Sequence, residues 1–186
     1  MNTPATIIDQ TKKWIARVVI GCNFCPFAAR ELKRNSIHYQ VEVSGDLQVC
    51  VQSFRQECVR LDKDETIETT LLIFPNAFQS FDDYLDLLAL AERELRKRGY
   101  EGIYQVASFH PLYRFADALE NDAANYTNRS VYPMLHLLRE KTIEKVLQHY
   151  GNPEQIPKQN IQFAREKGLA YMQVLRNSCL EEDKDV

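Results

Sequence analysis

The feature that most restricts the fold of this chain is a nearly continuous run of β-forming apolar residues, TTLLIF, at positions 69–74. Pro75 follows directly and is expected to end a strand, because proline cannot donate a hydrogen bond to a neighbouring strand. Runs of this kind are typical of a central strand that is buried on both faces. The sequence therefore predicts a sheet built around residues 69–74.

Patterns on either side of this run predict the rest of the sheet. Residues 38–44 alternate apolar and polar side chains, and residues 103–109 form a third strand-like run. Apolar residues recur every three or four positions in residues 47–61 and 81–98, which indicates helices. We therefore expect an α/β fold with a small, mostly parallel, three-stranded sheet and crossover helices. The alternatives are a mixed sheet or an α+β sandwich, in which one strand is reversed and pairs near residues 112–115.

Terminal helices are expected to flank this sheet. Residues 5–20 place apolar side chains at helical spacing, and a second short helix is predicted over residues 26–34. Pro133 is expected in the first turn of a helix that reaches about residue 150. After the break at residues 151–153, a final helix is predicted over residues 157–179.

Length and charge restrict the class of protein. The chain has 186 residues and is 45% hydrophobic, so we expect one domain over residues 1–186 with a frayed acidic tail at residues 181–186. A net charge of -3 argues against nucleic-acid binding. No segment resembles a signal peptide or a membrane span, and the odd number of cysteines favours reduced thiols. We therefore expect a cytoplasmic protein without a membrane partner; the sequence does not indicate its oligomeric state.

The first candidate site is the long polar segment within residues 103–140, since long connections in compact domains are usually functional. His110 follows the third predicted strand and is a candidate general base or acid, or simply a residue that hydrogen-bonds the loop to the body. Residues 125–130 precede the predicted helix start. Free backbone amides there, together with Arg129, would form an anion site. The alternative is an ordered turn in which these side chains bond the backbone.

Two further patterns carry candidate residues. His136 and Glu140 are four residues apart on the predicted helix, so they would share one face, with Arg139 beside them. Cys22 and Cys25 form a C-x-x-C motif, which can close a redox disulfide or supply half of a zinc site. Because Cys25 lies just before a helix start, its pKa is expected to be lowered, which makes it a candidate nucleophile. The alternative is two half-buried thiols between two helices.

Four blocks of the sequence resemble a known family. IGCNFCPFA, TTLLIFP, QVASFHPLYRFA and NYTNRSVYPMLHLLRE are similar, in this order and spacing, to the bacterial domain-of-unknown-function family numbered fourteen-fifteen. The resemblance covers roughly residues 14–146 and implies no particular activity, cofactor or fold. The family pattern has an apolar residue in place of Cys22 and proline in place of Val131. The first difference weakens the C-x-x-C interpretations and leaves Cys25 as the candidate thiol.

Together these patterns favour a small enzyme, a hydrolase or group transferase acting on a small anionic compound that is phosphorylated or carboxylated. Cys25, His110 and His136 would be its catalytic residues. The substrate would be held by Tyr113, Asn125, Tyr126, Asn128, Arg129, Ser130 and Arg139. One alternative is a non-catalytic module that binds a ligand or a protein. Another is a metal protein with Cys25, His110 and His136 as ligands and zinc as the metal, although the sequence requires no cofactor.

Overall fold

A four-stranded mixed sheet forms the centre of the molecule. The computed structural model describes residues 2–148 and 151–181. Its strands are β1 (Ile37–Val41), β2 (Thr69–Ile73), β3 (Tyr104–Phe109) and β4 (Met134–Arg139). They lie in the order β1-β2-β4-β3, with β1 parallel to β2 and β4 antiparallel to both β2 and β3. The predicted α/β class is confirmed, and the central position of β2, whose five residues are all buried, agrees with its apolar sequence.

The strand β4 was not expected. The helix predicted from residue 133 to about residue 150 is wrong in its first part, because residues 134–139 pair with β2 on one side and β3 on the other. Helix α5 (Glu140–Leu147) begins only after this strand. The apolar run MLHLLR fits a strand buried on both faces as well as a helix, and periodicity cannot separate the two in so short a run. The sheet therefore has four strands instead of three and is mixed, as the alternative expected, instead of mostly parallel; residues 112–115 form no strand.

The helices otherwise follow the apolar periodicity. Helix α1 (Pro4–Trp14) continues as a π-helix over Ile15–Ile20, and the other helices between the termini are α2 (Ala28–Arg34), α3 (Leu47–Lys63) and α4 (Phe81–Lys97). The predicted final helix is divided into α6 (Gln155–Lys167) and α7 (Leu169–Asn177). Gly168 separates them with φ +84° and ψ 159°, which no helix can include. The predicted frayed tail lies, apart from Glu181, outside the described residues.

The sheet separates two apolar cores. Helices α3 and α4 cover one face, where Phe54, Leu72 and Leu87 are fully buried. The N-terminal helices and α6 and α7 cover the other face around Trp14 and Met134. Each fully buried side chain of this size contributes about 1.5–3 kcal/mol relative to an exposed one, so both layers are needed to hold the sheet.

The π-helix depends on one glycine. The amide of Gly21 donates to the carbonyl of Ala16, five residues earlier, at 3.1 Å. A Cβ atom at Gly21 would lie 2.2 Å from the carbonyl oxygen of Arg17, so no other residue fits without a shift of the backbone. This widened turn carries Ile15 and Val19, which face the cavity described below. Within the described residues, no helix has the length and apolar character needed to cross a membrane.

Candidate functional site

A cavity of about 500 Å³ lies between the sheet and the helices of its second face. The π-helix, α2, α5 and α6 close it from outside, and the Asn160 side chain on α6 donates to the carbonyl of Phe24 at 2.7 Å. Its wall is mainly apolar and includes Trp14, Phe24, Leu71, Phe109, Phe115 and Ile161. Cavities of about 300–1,000 Å³ with apolar walls and few polar groups are the usual sites for small ligands. We call this space the sheet cavity.

His136 lies in the middle of the sheet face that borders the sheet cavity. In the register of β4 it is paired with Leu71 of β2 and with Ala107 of β3, and all three residues border the cavity. The ring of Phe109 packs beside the imidazole, with 5.9 Å between ring centroids. His136 lies deep in the molecule, yet it keeps some accessible surface because it faces the cavity. It is therefore a polar residue on a mainly apolar wall.

Thr69 sets the tautomer of this imidazole, and burial sets its charge. Its hydroxyl oxygen lies 2.6 Å from Nε2 of His136, and the same hydroxyl donates to the carbonyl of Leu137. Since the carbonyl can only accept, the hydroxyl proton is used there, and the threonine oxygen accepts a proton from Nε2. Desolvation lowers the pKa of His136 to about 4. The ring is therefore neutral near pH 7, with its proton on Nε2 and a lone pair on Nδ1.

Cys25 also borders the sheet cavity and is half-buried. Burial raises the pKa of its thiol, and the backbone amides of Phe27 and Ala28 offset this shift only in part. The expectation of a lowered pKa is therefore wrong, because desolvation outweighs the amide donors before α2. Cys22 is buried, and both cysteines are free thiols. The C-x-x-C motif thus contains two thiols between helices, of which only Cys25 borders the cavity.

His110 does not border the sheet cavity. It is fully buried, its Nε2 lies 2.8 Å from the carbonyl of Phe78, and its Nδ1 accepts from the amide of Leu112 at 3.0 Å. Desolvation is the main cause that lowers its pKa. Because both ring nitrogens bond to the backbone, neither is left for a substrate. The contacts are those of a histidine that holds the loop to the body.

Most of the predicted anion-binding residues also bond to the backbone. We call residues 110–133 the polar loop. Asn125 is fully buried; its amide donates to the carbonyl of Leu119 at 2.8 Å and accepts from the amide of Phe115 at 3.1 Å. Arg129 donates to the carbonyls of Tyr113 and Glu120, each at 2.9 Å. The side chains of the polar loop thus hold its own backbone.

The helix start that the predicted anion site required is absent, because the chain enters β4 after Pro133. Ser130 donates instead to the carbonyl of Tyr132, and the ring of Tyr126 lies under the guanidinium of Arg129 at 5.0 Å. The sheet cavity is bordered by none of Tyr113, Tyr126, Arg129 and Ser130. Residues 125–127 end a short 3-10 helix (Ala123–Thr127), and most side chains of residues 125–130 bond the backbone, as the alternative expected.

Two further candidates reach the sheet cavity at its border. Asn128 borders it, and its amide donates to the carbonyl of Ser108 at 3.2 Å. Arg139 also borders it, but its guanidinium donates to the carbonyls of Leu61 and Ile67 at 2.6 and 3.0 Å. The charge of Arg139 therefore stabilises the chain after α3.

A family model matches residues 6–174 of the chain, a range that contains all residues of the site. The family is described as a protein of unknown function (DUF1415). The chain belongs to this family. No curated protein and no solved structure matches the chain. The resemblance found in the sequence blocks is therefore confirmed for this DUF1415 member, and the site has to be interpreted from its own chemistry.

In this DUF1415 member, the candidate metal ligands do not lie together in one site. Among residues 2–148 and 151–181, no three His, Cys, Asp or Glu side chains form a group that could hold a metal ion. The set of Cys25, His110 and His136 is therefore not arranged as a zinc site. The expected helical pair of His136 and Glu140 is also wrong, because His136 lies in β4 and Glu140 begins α5.

Sequence reasoning missed the residues that shape the sheet cavity. Thr69 is a polar residue at the start of an apolar strand, which is a weak signal, and nothing in the sequence connects it with His136. Trp14 lies within residues 5–20, whose spacing predicts only a helix, although it borders the cavity and its Nε1 donates to the carbonyl of Arg129 at 3.2 Å. These contacts join positions more than 60 residues apart, so local patterns could not find them.

Proposed function

We propose that this protein binds a small, largely apolar molecule in the sheet cavity. The observation that supports this function is the cavity itself, with a volume of about 500 Å³ and a wall of aromatic and aliphatic side chains. Apolar surface removed from water contributes roughly 25 cal/mol per Å² to binding before the costs of association. Ligand binding was one of the alternatives for this sequence, and the wall favours it.

The charges around the sheet cavity favour a neutral ligand. Glu31 and Glu68 are the acidic residues of its wall, and Glu31 is already paired with Arg30. Glu68 accepts from the hydroxyl of Thr142 at 2.8 Å, and the guanidinium of Arg139 is bonded to backbone carbonyls. A phosphorylated or carboxylated compound would lose its hydration without gaining a cation in return. For this cavity we therefore replace the expected anionic substrate with a neutral one.

Trp14 provides a direct measurement of binding. It is the single tryptophan of the chain and it borders the sheet cavity. We expect tert-butylbenzene to change its fluorescence in a saturable titration and to raise the thermal midpoint, since a ligand that binds only the folded state stabilises it. Replacing Ala107, which borders the cavity, should fill part of it. Ala107→Leu is therefore expected to weaken binding about tenfold or more.

Ala116→Leu is the matched control, because Ala116 is exposed and does not border the cavity. It should bind the probe as the wild type does. Absence of saturable binding to the wild type, or equal affinity of the Ala107→Leu variant, would contradict the proposed function.

Catalysis in the same cavity is a second candidate function, favoured because Cys25 and His136 both border it. Its test is the rate of Cys25 alkylation across pH, read by mass spectrometry of the labelled peptide. With its pKa raised, Cys25 should react more slowly near pH 7 than an ordinary thiol of pKa about 8.5. An alkylation rate near pH 7 above that of an ordinary thiol would favour a nucleophilic enzyme.

We also propose a cytoplasmic location, which suits five free cysteines.

A further inference from the structure

One polar atom on the apolar wall has no partner. Nε2 of His136 is bonded to Thr69, and Nδ1 makes no hydrogen bond within the described part of the chain. The fully enclosed side-chain atoms of that part without a hydrogen bond are His38 Nε2, Tyr39 Oη and Thr70 Oγ1. Nδ1 of His136 is not one of them, so it keeps accessible surface. Because His136 borders the sheet cavity, that surface is open to a ligand.

We infer that the ligand of the sheet cavity carries a hydroxyl group that donates a hydrogen bond to Nδ1 of His136. The inference rests on the proposed function and names the class of ligand, which is a neutral, largely apolar alcohol or phenol. Thr69 is the positioning residue, since its hydroxyl holds the proton of the imidazole on Nε2 and leaves Nδ1 as an acceptor.

Because Nδ1 is an acceptor on a mainly apolar wall, it excludes ligand groups that have no proton to donate and disfavours charged ones. A lone pair cannot bond a carboxylate, an ether or a ketone, because none of these has a proton to donate. A charged ammonium could donate, but it would have to leave water for a wall made mainly of apolar side chains. The neutral state of His136, whose pKa is about 4, keeps Nδ1 an acceptor at physiological pH. A neutral hydroxyl supplies the proton without the desolvation cost of a charge.

The experiment compares three probes of nearly equal shape: tert-butylbenzene, para-tert-butylphenol and the methyl ether of that phenol. Trp14 fluorescence and calorimetry report their affinities. We expect the wild type to bind the phenol about tenfold more tightly than the ether, because only the phenol pairs Nδ1 and an unpaired buried polar atom is costly. His136→Phe should remove this preference while it still binds tert-butylbenzene.

Two neighbouring threonines give a matched pair of variants. Thr69→Val removes the acceptor for Nε2, so the ring is free to change tautomer, and the preference for the phenol should fall at least severalfold. Thr70→Val is the control, because the Thr70 side chain lies in the adjacent register position on the opposite face of β2 and its hydroxyl has no partner. It should keep the wild-type preference.

Nitrogen NMR of the wild type keeps the inference testable if His136→Phe does not fold. We expect a protonated Nε2 and an unprotonated Nδ1, and the Nδ1 resonance should shift on addition of the phenol but not of the ether. Binding of all three probes with equal affinity, or a phenol preference that persists in His136→Phe, would overturn the inference and leave the proposed function intact. Failure of tert-butylbenzene to bind the wild type would overturn the proposed function itself.

Discussion

The polar loop and the sheet cavity use polar side chains in opposite ways. The polar loop is dense in groups that hydrogen-bond, but Asn125 and Arg129 direct theirs at carbonyls and amides of the same loop. The wall of the sheet cavity is mainly apolar, and no side chain of the described residues occupies Nδ1 of His136, which is left open to a ligand. Apart from a short 3-10 helix (Ala123–Thr127), the polar loop has no regular structure, so side chains have to pair much of its buried backbone. The polar side chains of the loop are therefore explained by its backbone, whereas no contact within the described residues explains the position of Nδ1 of His136.

His110 and His136 show the same contrast between the polar loop and the sheet cavity. His110 bonds the carbonyl of Phe78 and the amide of Leu112, so both of its ring nitrogens are used. His136 bonds Thr69 through one nitrogen and presents the other to the cavity. Desolvation lowers the pKa of both. Burial and pKa alone would not separate a structural histidine from one available to a ligand.

The largest effect is expected in the polar loop. Asn125→Ala leaves the amide of Phe115 without its acceptor and removes the side-chain donor to the carbonyls of Leu119 and Glu120, so we expect a loss of about 3 kcal/mol in the free energy of unfolding. Urea denaturation measures it. Asn121→Ala is the matched control, because Asn121 is exposed, and it should change stability by less than about 0.5 kcal/mol. Equal effects of the two substitutions would remove the structural role assigned to Asn125.

An intermediate effect is expected from the two histidines. His110→Phe leaves the carbonyl of Phe78 and the amide of Leu112 unpaired, which should cost about 2 kcal/mol in unfolding free energy. Its affinity for tert-butylbenzene should stay that of the wild type. His136→Phe should lose less stability but change the choice among the three probes. A loss of probe discrimination in His110→Phe would show that the two regions are coupled.

The effect that is smallest near pH 7 is a pH dependence that isolates His136, because it develops only as pH falls below 6.5. Its pKa is lowered from 6.5 to about 4, so the unfolded chain binds a proton more readily than the folded protein. The stability that the neutral ring provides is complete above pH 6.5 and falls as pH decreases towards 4. The free energy of unfolding of the wild type should therefore decline more steeply over this range than that of His136→Phe. Parallel curves would mean that His136 titrates normally.

Local patterns in the sequence determined much of the fold. The apolar run before Pro75 predicted β2 and its burial, and the helical spacing in residues 47–61 and 81–98 predicted α3 and α4. The helical patterns extend over several turns, and Pro75 marks the end of the β2 run. Local signals therefore sufficed to assign these elements. The sequence also singled out Cys25 and His136, both of which border the sheet cavity.

Only the tertiary structure decided what these residues face. The run MLHLLR becomes β4 because two open strand edges are available on either side of it, and that pairing turns His136 towards the sheet cavity. The contact of His136 with Thr69 joins positions 67 residues apart, and the helices that enclose the cavity come from both ends of the chain. Hydrogen bonding of this kind depends on which atoms meet after folding. The sequence determined which polar groups exist, and the fold determined which of them remained without a partner.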